Sequence, residues 1–318
     1  MIWLSVTAFF VSLIMGAIVL RCSHYVASTY SESMPQRIHA GEIPRLGGIG
    51  LLAGVLLSWL AGMFSSKGLG DPSSLRFGWP TVWWGVVMLP AVLGGISEDL
   101  TQRLQVRYRL LLTLLTGALG VALMDLYVPR LGLVWGDTVL AMFPWLGVVL
   151  TLLAIAGLPH AFNIDGCNGL AGMVALIICL ALAYVALQVG DRTLAAMLVT
   201  TAAATAGFLF WNYPRGMLFA GDGGAYLWGV VIAIASITLV QRHSQVSPWF
   251  PVLLLIYPVW ETMFSIYRKW ARGMSPGIAD ALHFHQLIYR RVVWGVFHDD
   301  AARDMLMRNN RTSPYLWA

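Results

Sequence analysis

Five short stretches hold most of the side chains in this sequence that could do polar chemistry. They are PQRIHAGEIPRLGGIG (35–50), GGISEDLTQRLQVRYR (94–109), AFNIDGCNGLAG (161–172), GFLFWNYPRGMLFAGDGG (207–224) and DALHFHQLIYRR (280–291). The adjacent acids Glu98 and Asp99 follow a long apolar run. That puts them at the negative, C-terminal pole of a helix, where they need a cation. Arg103, Arg107 and Arg109 would serve as salt-bridge partners. A divalent metal is an equal alternative, because paired short carboxylates suit a hard ion such as Mg2+, with Mn2+ as a substitute. Asp222 stands between glycines just before another apolar run. There it would cap a helix, or its neighbouring amides would hold phosphate. Asn163, Asp165 and Asn168 lie in a glycine-rich junction of the kind used by turns and by ligand-facing loops. His283 and His285 are two apart, which does not put them on one helix face. That spacing argues against a helical zinc pair and for a loop that offers imidazoles, with Arg290 and Arg291, to an anion. Arg37, His39 and Arg45 read first as an ordinary basic loop. Each stretch alone has a plain structural account.

The elements that must position these residues are membrane helices. The chain has 318 residues, 58% hydrophobic and only 11% charged, with mean hydropathy +0.72. A soluble domain carries roughly 25% charged residues. The class is therefore an all-α, polytopic transmembrane bundle, folded as one integral-membrane domain over 1–318. Apolar runs of spanning length are predicted at Ile2–Leu20, Leu46–Phe64, Thr81–Ile96, Leu110–Leu126, Thr138–Leu158, Leu170–Val189, Leu194–Trp211, Ala225–Val240 and Trp249–Tyr267, about nine in all. Tryptophans gather near their ends, as interfacial tryptophans do. The start, MIWLSVTAFF, has no basic n-region, so no cleaved signal peptide is expected. Cys22, Cys167 and Cys179 form no CxxC pair, and no disulfide framework or zinc site is expected.

Orientation follows from Lys and Arg. With the N-terminus outside, the inside segments carry fifteen of the 20 basic residues. This bias favours that orientation, with a cytoplasmic tail. The net charge of +5 then reflects basic inside loops and implies no nucleic-acid partner. All five polar stretches fall on the cytoplasmic side, in loops 21–45, 98–109, 159–169, 212–224 and the tail 268–318. Acids converging from three separate loops are not what purely structural loops predict. In the tail, Ser313-Pro314 followed by Tyr-Leu-Trp-Ala reads as the cap and first turn of another helix, so the chain is expected to stop where a further span begins.

The segments GGISED, NIDGCNGLAG, WNYPRGMLFAGDGG and HFHQLIYRR, in this order between spans, resemble the polyprenyl-phosphate N-acetylhexosamine-1-phosphate transferases (glycosyltransferase family 4). The form HFHQL is most similar to members that initiate O-antigen, a lipopolysaccharide component, from UDP-N-acetylhexosamines. The resemblance covers Arg37 to Arg291. It implies an Mg2+-dependent enzyme of the bacterial inner membrane, with its active site on the cytoplasmic face. Its partners would be a UDP-N-acetylhexosamine and undecaprenyl phosphate, and a homodimer is a further expectation. It also implies ten or eleven spans, so one or two would be missing here.

Carried over by position, Glu98 and Asp99 match the catalytic acidic pair, and Asp222, with Asp99, would bind metal. Asn163, Asp165, Asn168 and Asn212 would line the nucleotide pocket. His283 and His285 would contact the sugar nucleotide. Arg37, His39 and Arg103 are further residues expected to bind substrate. Two departures stand out. Glu98 is one methylene longer than the usual Asp, and Asn168 replaces an acid and cannot act as a base. A transporter and an inactive structural subunit remain alternatives. Transporters place ionisable groups near the bilayer midplane, where only Asp125 and Glu261 come close. The D-x-x-D-G-x-x-A-R pattern of the CDP-alcohol phosphotransferases is absent.

Overall fold

The computed structural model describes residues 1–26, 43–66, 77–164, 166–273, 282–293 and 300–317, and these are helical or irregular with no strand. The helices in chain order are α1 (Ile2–Val26), α2 (Gly47–Ser66), α3 (Trp79–Thr101), α4 (Val106–Met124), α5 (Val134–Met142), α6 (Trp145–Ala161), α7 (Leu170–Gln188), α8 (Arg192–Asn212), α9 (Gly221–Arg242), α10 (Trp249–Leu254), α11 (Ile256–Ala271), α12 (Phe284–Arg291) and α13 (Ala301–Thr312). A 3-10 turn, Ser313–Leu316, continues α13. Among the described residues, α1 to α4 and α7 to α9 supply seven helices long and apolar enough to cross a membrane, with α5 and α6 together a bent eighth.

The bundle is built around α9. It is apolar on every face, and such a helix belongs inside a core. Residues Gly221 to Val240 are all buried. Helices α2, α3, α6, α7 and α8 pack against it, while α1 covers α2 and α8, and α4 covers α3 and α6. Small residues permit the close approach. A Cβ on Gly95 of α3 would come within 2.6 Å of the backbone carbon of Asp222, so the α3 backbone lies directly on the start of α9. Close contact through small residues is how membrane helices gain packing when lipid is as apolar as the core.

Two of the nine predicted spans are not continuous. The fifth divides at Phe143–Pro144 into α5 and α6, which meet at 110°. Phe143 leaves the helical region, at φ −131 and ψ 74, which the residue before a proline is pushed to do. The ninth breaks at Leu255 between α10 and α11. Pro258 cannot donate to the carbonyl of Leu254, four residues back, and its ring crowds that carbonyl. Helix α11 is also inverted: Pro258, Glu261, Ser265 and Lys269 are buried, whereas Trp260, Met263, Phe264, Tyr267 and Trp270 are exposed. It is not among the helices long and apolar enough to span. The tail also differs from expectation. Ser313 caps no new helix; it extends α13, and its hydroxyl donates to the carbonyl of Asn168 at 2.5 Å.

The helices run up and down, so their connections fall at two ends. One end gathers the turns at 101–106, 161–170 and 212–221 together with α12 and α13. The other gathers 124–134, 188–192 and 242–249.

Candidate active site

The site starts where α3 ends on α9. Helix α9 begins with Gly-Asp-Gly-Gly, preceded by Ala220, whose side chain cannot cap it. Gly221 has φ +69, a left-handed conformation that glycine adopts without steric cost, and its α-carbon faces Arg45 and Asp99. The cap comes from another helix. Asp99 accepts the N–H of Asp222 on Oδ1 at 2.9 Å and that of Gly223 on Oδ2 at 2.8 Å. The cation that Asp99 needs at the foot of α3 is thus partly the positive pole of α9, aided by the nearby charge of Arg45.

Glu98 turns the other way. Its carboxylate accepts the N–H of Leu104 at 2.8 Å and holds the α3–α4 turn. Among the arginines of that stretch, Arg109 pairs with Asp222, while Arg103 is exposed and Arg107 lies over the ring of Tyr108. The sequence reading named Arg103 for the site; the structure puts Arg109 at the acids. The reason is helical phase, because Arg109 starts on the face of α4 that meets α3 and α9. Behind this group, His160 of α6 lies 3.3 Å from the Thr113 hydroxyl and 3.2 Å from the Tyr226 hydroxyl. The sequence reading passed over His160.

The glycine-rich junction behaves differently from a ligand-facing loop. Asn163 is exposed. Asn168 and Asn212 are buried and bonded within the protein. Asn212 accepts the N–H of Gly169 at 2.6 Å and donates to the carbonyl of Leu218 at 2.8 Å, so it ties two loops together through both ends of its amide. Asn168 is gripped by the tail. Its N–H donates to Asn309 Oδ1 at 2.7 Å, its Nδ2 donates to Asn310 Oδ1 at 2.9 Å, and Asn310 Nδ2 donates to the carbonyl of Pro214 at 2.7 Å. Helix α13 therefore clamps both loops. The polar run NNRTS was its only sign in the sequence. Asp165, Arg37 and His39 lie outside the described residues.

The histidines sit at the start of a helix, one before it and one within it. His283 is the N-cap of α12, with extended backbone at φ −61 and ψ 150, and it shares a capping box with Gln286. His285 is inside the helix and buried. Because His283 precedes the helix, the helical rule for residues two apart does not apply, and the rings stack at 5.5 Å and 8°. His283 Nδ1 lies 2.7 Å from Glu261 Oε1, and the N–H of Phe284 donates to both Glu261 oxygens at 3.1 and 3.2 Å. Burial, and then the charge of His283, push the His285 imidazole down to about 3, so it is neutral. Glu261 had registered in the sequence only as an acid inside an apolar run. Such an acid must be partnered, and that was the available signal.

Among the described residues, no group of three or more His, Cys, Asp or Glu is placed to hold a metal. The oxygen donors of Asp99 and Asp222 still suit an ion that takes one or two carboxylates and completes its shell with water and substrate phosphates. The Arg109 guanidinium on Asp222 marks that corner as one where a cation is stabilised, so the residues fit such an ion.

A family model described as "Glycosyl transferase family 4" matches residues 81–240. The chain belongs to glycosyl transferase family 4. It is 26% identical over 298 residues to a probable undecaprenyl-phosphate N-acetylglucosaminyl 1-phosphate transferase of Bacillus subtilis (strain 168), covering 92% of this chain and 78% of that protein. It is 27% identical over 261 residues to the undecaprenyl-phosphate alpha-N-acetylglucosaminyl 1-phosphate transferase of Escherichia coli O157:H7, covering 79% and 66%. The same-named protein of Salmonella typhi is 28% identical over 259 residues, again at 79% and 66%. The chain thus spans about two thirds of the enterobacterial relatives' length. The family 4 match begins in α3 and ends in α9. It therefore contains Glu98, Asp99, Arg109, Asn168, Asn212 and Asp222, while the His283–Glu261 pair and the α13 clamp lie beyond it.

Proposed function

We propose that this family 4 chain transfers an N-acetylhexosamine 1-phosphate from a UDP-sugar to undecaprenyl phosphate, releasing UMP. The observation that carries the reading is the meeting of Asp99, Asp222 and Arg109 at the N-terminus of the buried helix α9. The names of the relatives agree with it. A phosphate oxygen of the lipid attacks the β-phosphorus of the UDP-sugar. The bond from that phosphorus to the bridging oxygen breaks, and the oxygen leaves on UMP. Such transfers depend on positioning and charge neutralisation more than on covalent help from the protein.

Each residue then has a task. Asp99 fixes the first amides of α9 and with them the carboxylate of Asp222. Arg109 neutralises Asp222 and would offer its remaining donors to phosphate, for which a planar guanidinium is well shaped. Asp222, with Asp99, would hold Mg2+, which supplies charge neutralisation on the diphosphate when bound. The acceptor phosphate is already largely ionised near neutrality, with a second pKa of about 6, so no strong base is needed. That agrees with Asp99 being engaged by two backbone amides. Asn168, Asn212 and α13 shape the pocket wall from behind. The excess of basic residues at this end supports a cytoplasmic site, and a role in starting a surface polysaccharide such as O-antigen is the corresponding pathway reading.

The test is transfer of radiolabel from a panel of UDP-N-acetylhexosamines to undecaprenyl phosphate in membranes holding the full chain, with and without Mg2+. A lipid-linked product that requires Mg2+ is expected. No lipid-linked product from any donor would overturn the reading.

A further inference from the structure

One turn below the acids, a second polar contact runs between the same two helices. Arg109 and Thr113 are four apart on α4, and Asp222 and Tyr226 are four apart on α9. Each pair therefore shares a helix face. Arg109 meets Asp222 directly. Thr113 and Tyr226 are joined through His160, in the last turn of α6: the Thr113 hydroxyl lies 3.3 Å from its Nε2 and the Tyr226 hydroxyl 3.2 Å from its Nδ1. The two contacts are successive rungs between α4 and α9. The His160 ring also meets the Tyr226 ring edge to face, with centroids 4.9 Å apart.

Helix α6 is seated firmly enough to carry such a rung. A Cβ on Gly229 of α9 would lie 2.4 Å from the α-carbon of Pro159, and one on Gly117 of α4 would lie 3.3 Å from the carbonyl oxygen of Leu152. The end of α6 that carries His160 is thus pressed against the backbone of α9, and its middle against α4.

The proton positions in the bridge follow from its far end. Thr113 has one hydroxyl proton and gives it to the carbonyl of Leu110 at 3.0 Å. Its oxygen can then only accept from His160, so the imidazole proton sits on Nε2. Nδ1 is left as the acceptor, and the Tyr226 hydroxyl donates to it. With that proton committed, the Tyr226 oxygen has only lone pairs to offer. It cannot donate to the carboxylate one turn above it, so it does not compete with Arg109 for Asp222.

We propose that His160 is a positioning residue for the transfer: as the Nε2-protonated tautomer it joins Thr113 to Tyr226, fixes the phase of α4 against α9, and so holds Arg109 on Asp222. That phase is what separates Arg109 from Arg103. None of the four segments that carry the family resemblance contains Thr113, His160 or Tyr226. The inference rests on the reading under Proposed function, because the reaction that reports it is that transfer.

The experiment uses the purified full chain in lipid nanodiscs. Wild type, His160→Phe, Arg109→Ala and the double variant are compared by kcat/KM for the UDP-sugar per folded molecule. Phenylalanine keeps a ring and removes both nitrogens. His160→Phe should lose about tenfold, as when a reacting group is moved off its productive geometry. Added to Arg109→Ala, it should cost less than about twofold more, because residues acting as one unit are not additive. Wild-type kcat/KM in His160→Phe, or the same factor lost in both backgrounds, would overturn the proposal. The second of these is what a histidine that only packs the core gives. Should a variant fail to fold, or Arg109→Ala show no measurable transfer, nitrogen NMR of the His160 ring in wild type decides. A neutral ring protonated on Nε2 is expected, and a proton on Nδ1 overturns the proposal. A wild type that transfers sugar phosphate from no UDP-sugar would overturn the functional reading itself, and the NMR measurement tests the bridge independently of it.

Discussion

At the end of the bundle away from the acids, Arg130 donates to four backbone carbonyls, those of Val240, His243, Ser244 and Val246, at 2.7 to 3.2 Å. At the site end, Arg109 meets the carboxylate of Asp222, and its Nε is buried with no partner among the described residues. The same contrast holds for the acids. Asp191 at the far end caps its own helix through the N–H of Leu194 and pairs with Arg242 and His243. Asp99 caps a different helix and faces a second acid across that cap. Asn168 Oδ1 and His285 Nδ1 are further buried polar atoms at the site end without a partner among the described residues. At the far end, Arg130 and Asp191 close off helix ends. At the site end, Arg109 and Asn168 retain unused hydrogen-bonding capacity among the described residues, and beside paired acids such capacity marks a place shaped for something other than stability.

Removing the acid that Arg109 meets is the sharpest way to break this comparison. Asp222→Ala should lower transfer by about 100- to 1,000-fold, the usual loss when one electrostatic element of a reaction centre is removed. Folding, followed by thermal melting in detergent, should persist, because Asp99 still caps α9. A variant with full activity would remove Asp222 from the site. Asn309→Ala comes next. It leaves the buried N–H of Asn168 without its acceptor, a loss of about 1–3 kcal/mol. It should lower the melting temperature and transfer activity together, since α13 clamps two site loops.

Acidification tests the His285 side of the same end. Burial first, and then the charge of His283, depress its folded pKa to about 3 from the ordinary imidazole value of 6.5. The unfolded chain therefore takes up the proton first as pH falls. Stability should drop as pH is lowered from about 6.5 toward 3, by up to about 1.4 kcal/mol per pH unit. His285→Phe should flatten that part of the melting curve; an unchanged slope would mean that the ring is not the titrating group. The smallest effect on chemistry is expected at the far end. Arg130→Ala should destabilise the protein, yet transfer per folded molecule should stay within about twofold of wild type. A large loss there would erase the distinction between the two ends.

Much of the fold was legible because membrane helices carry their signal locally. Twenty apolar residues in a row have few alternatives in lipid, and the seven long helices lie within a few residues of the predicted runs. The misreadings occurred at prolines. Pro144 and Pro258 stand inside runs whose mean hydropathy is high, and hydropathy does not register a missing N–H. At the site, Glu98, Asp99, Asn168, Asn212 and Asp222 were visible as polar residues in improbable places. Their partners were not. Arg103 and Arg109 are six residues apart and chemically the same, and only the phase of α4 separates them.

The order of apolar runs and polar junctions was determined by the sequence alone, because burial of a backbone in lipid constrains each segment by itself. Which groups meet was decided by the tertiary structure. Asp99 reaches Asp222 across 123 positions, Asn168 reaches Asn309 across 141, and His283 finds Glu261 on a helix read as part of a plain span. A hydrogen bond depends on angles and tenths of an ångström, and these exist only once the helices have packed.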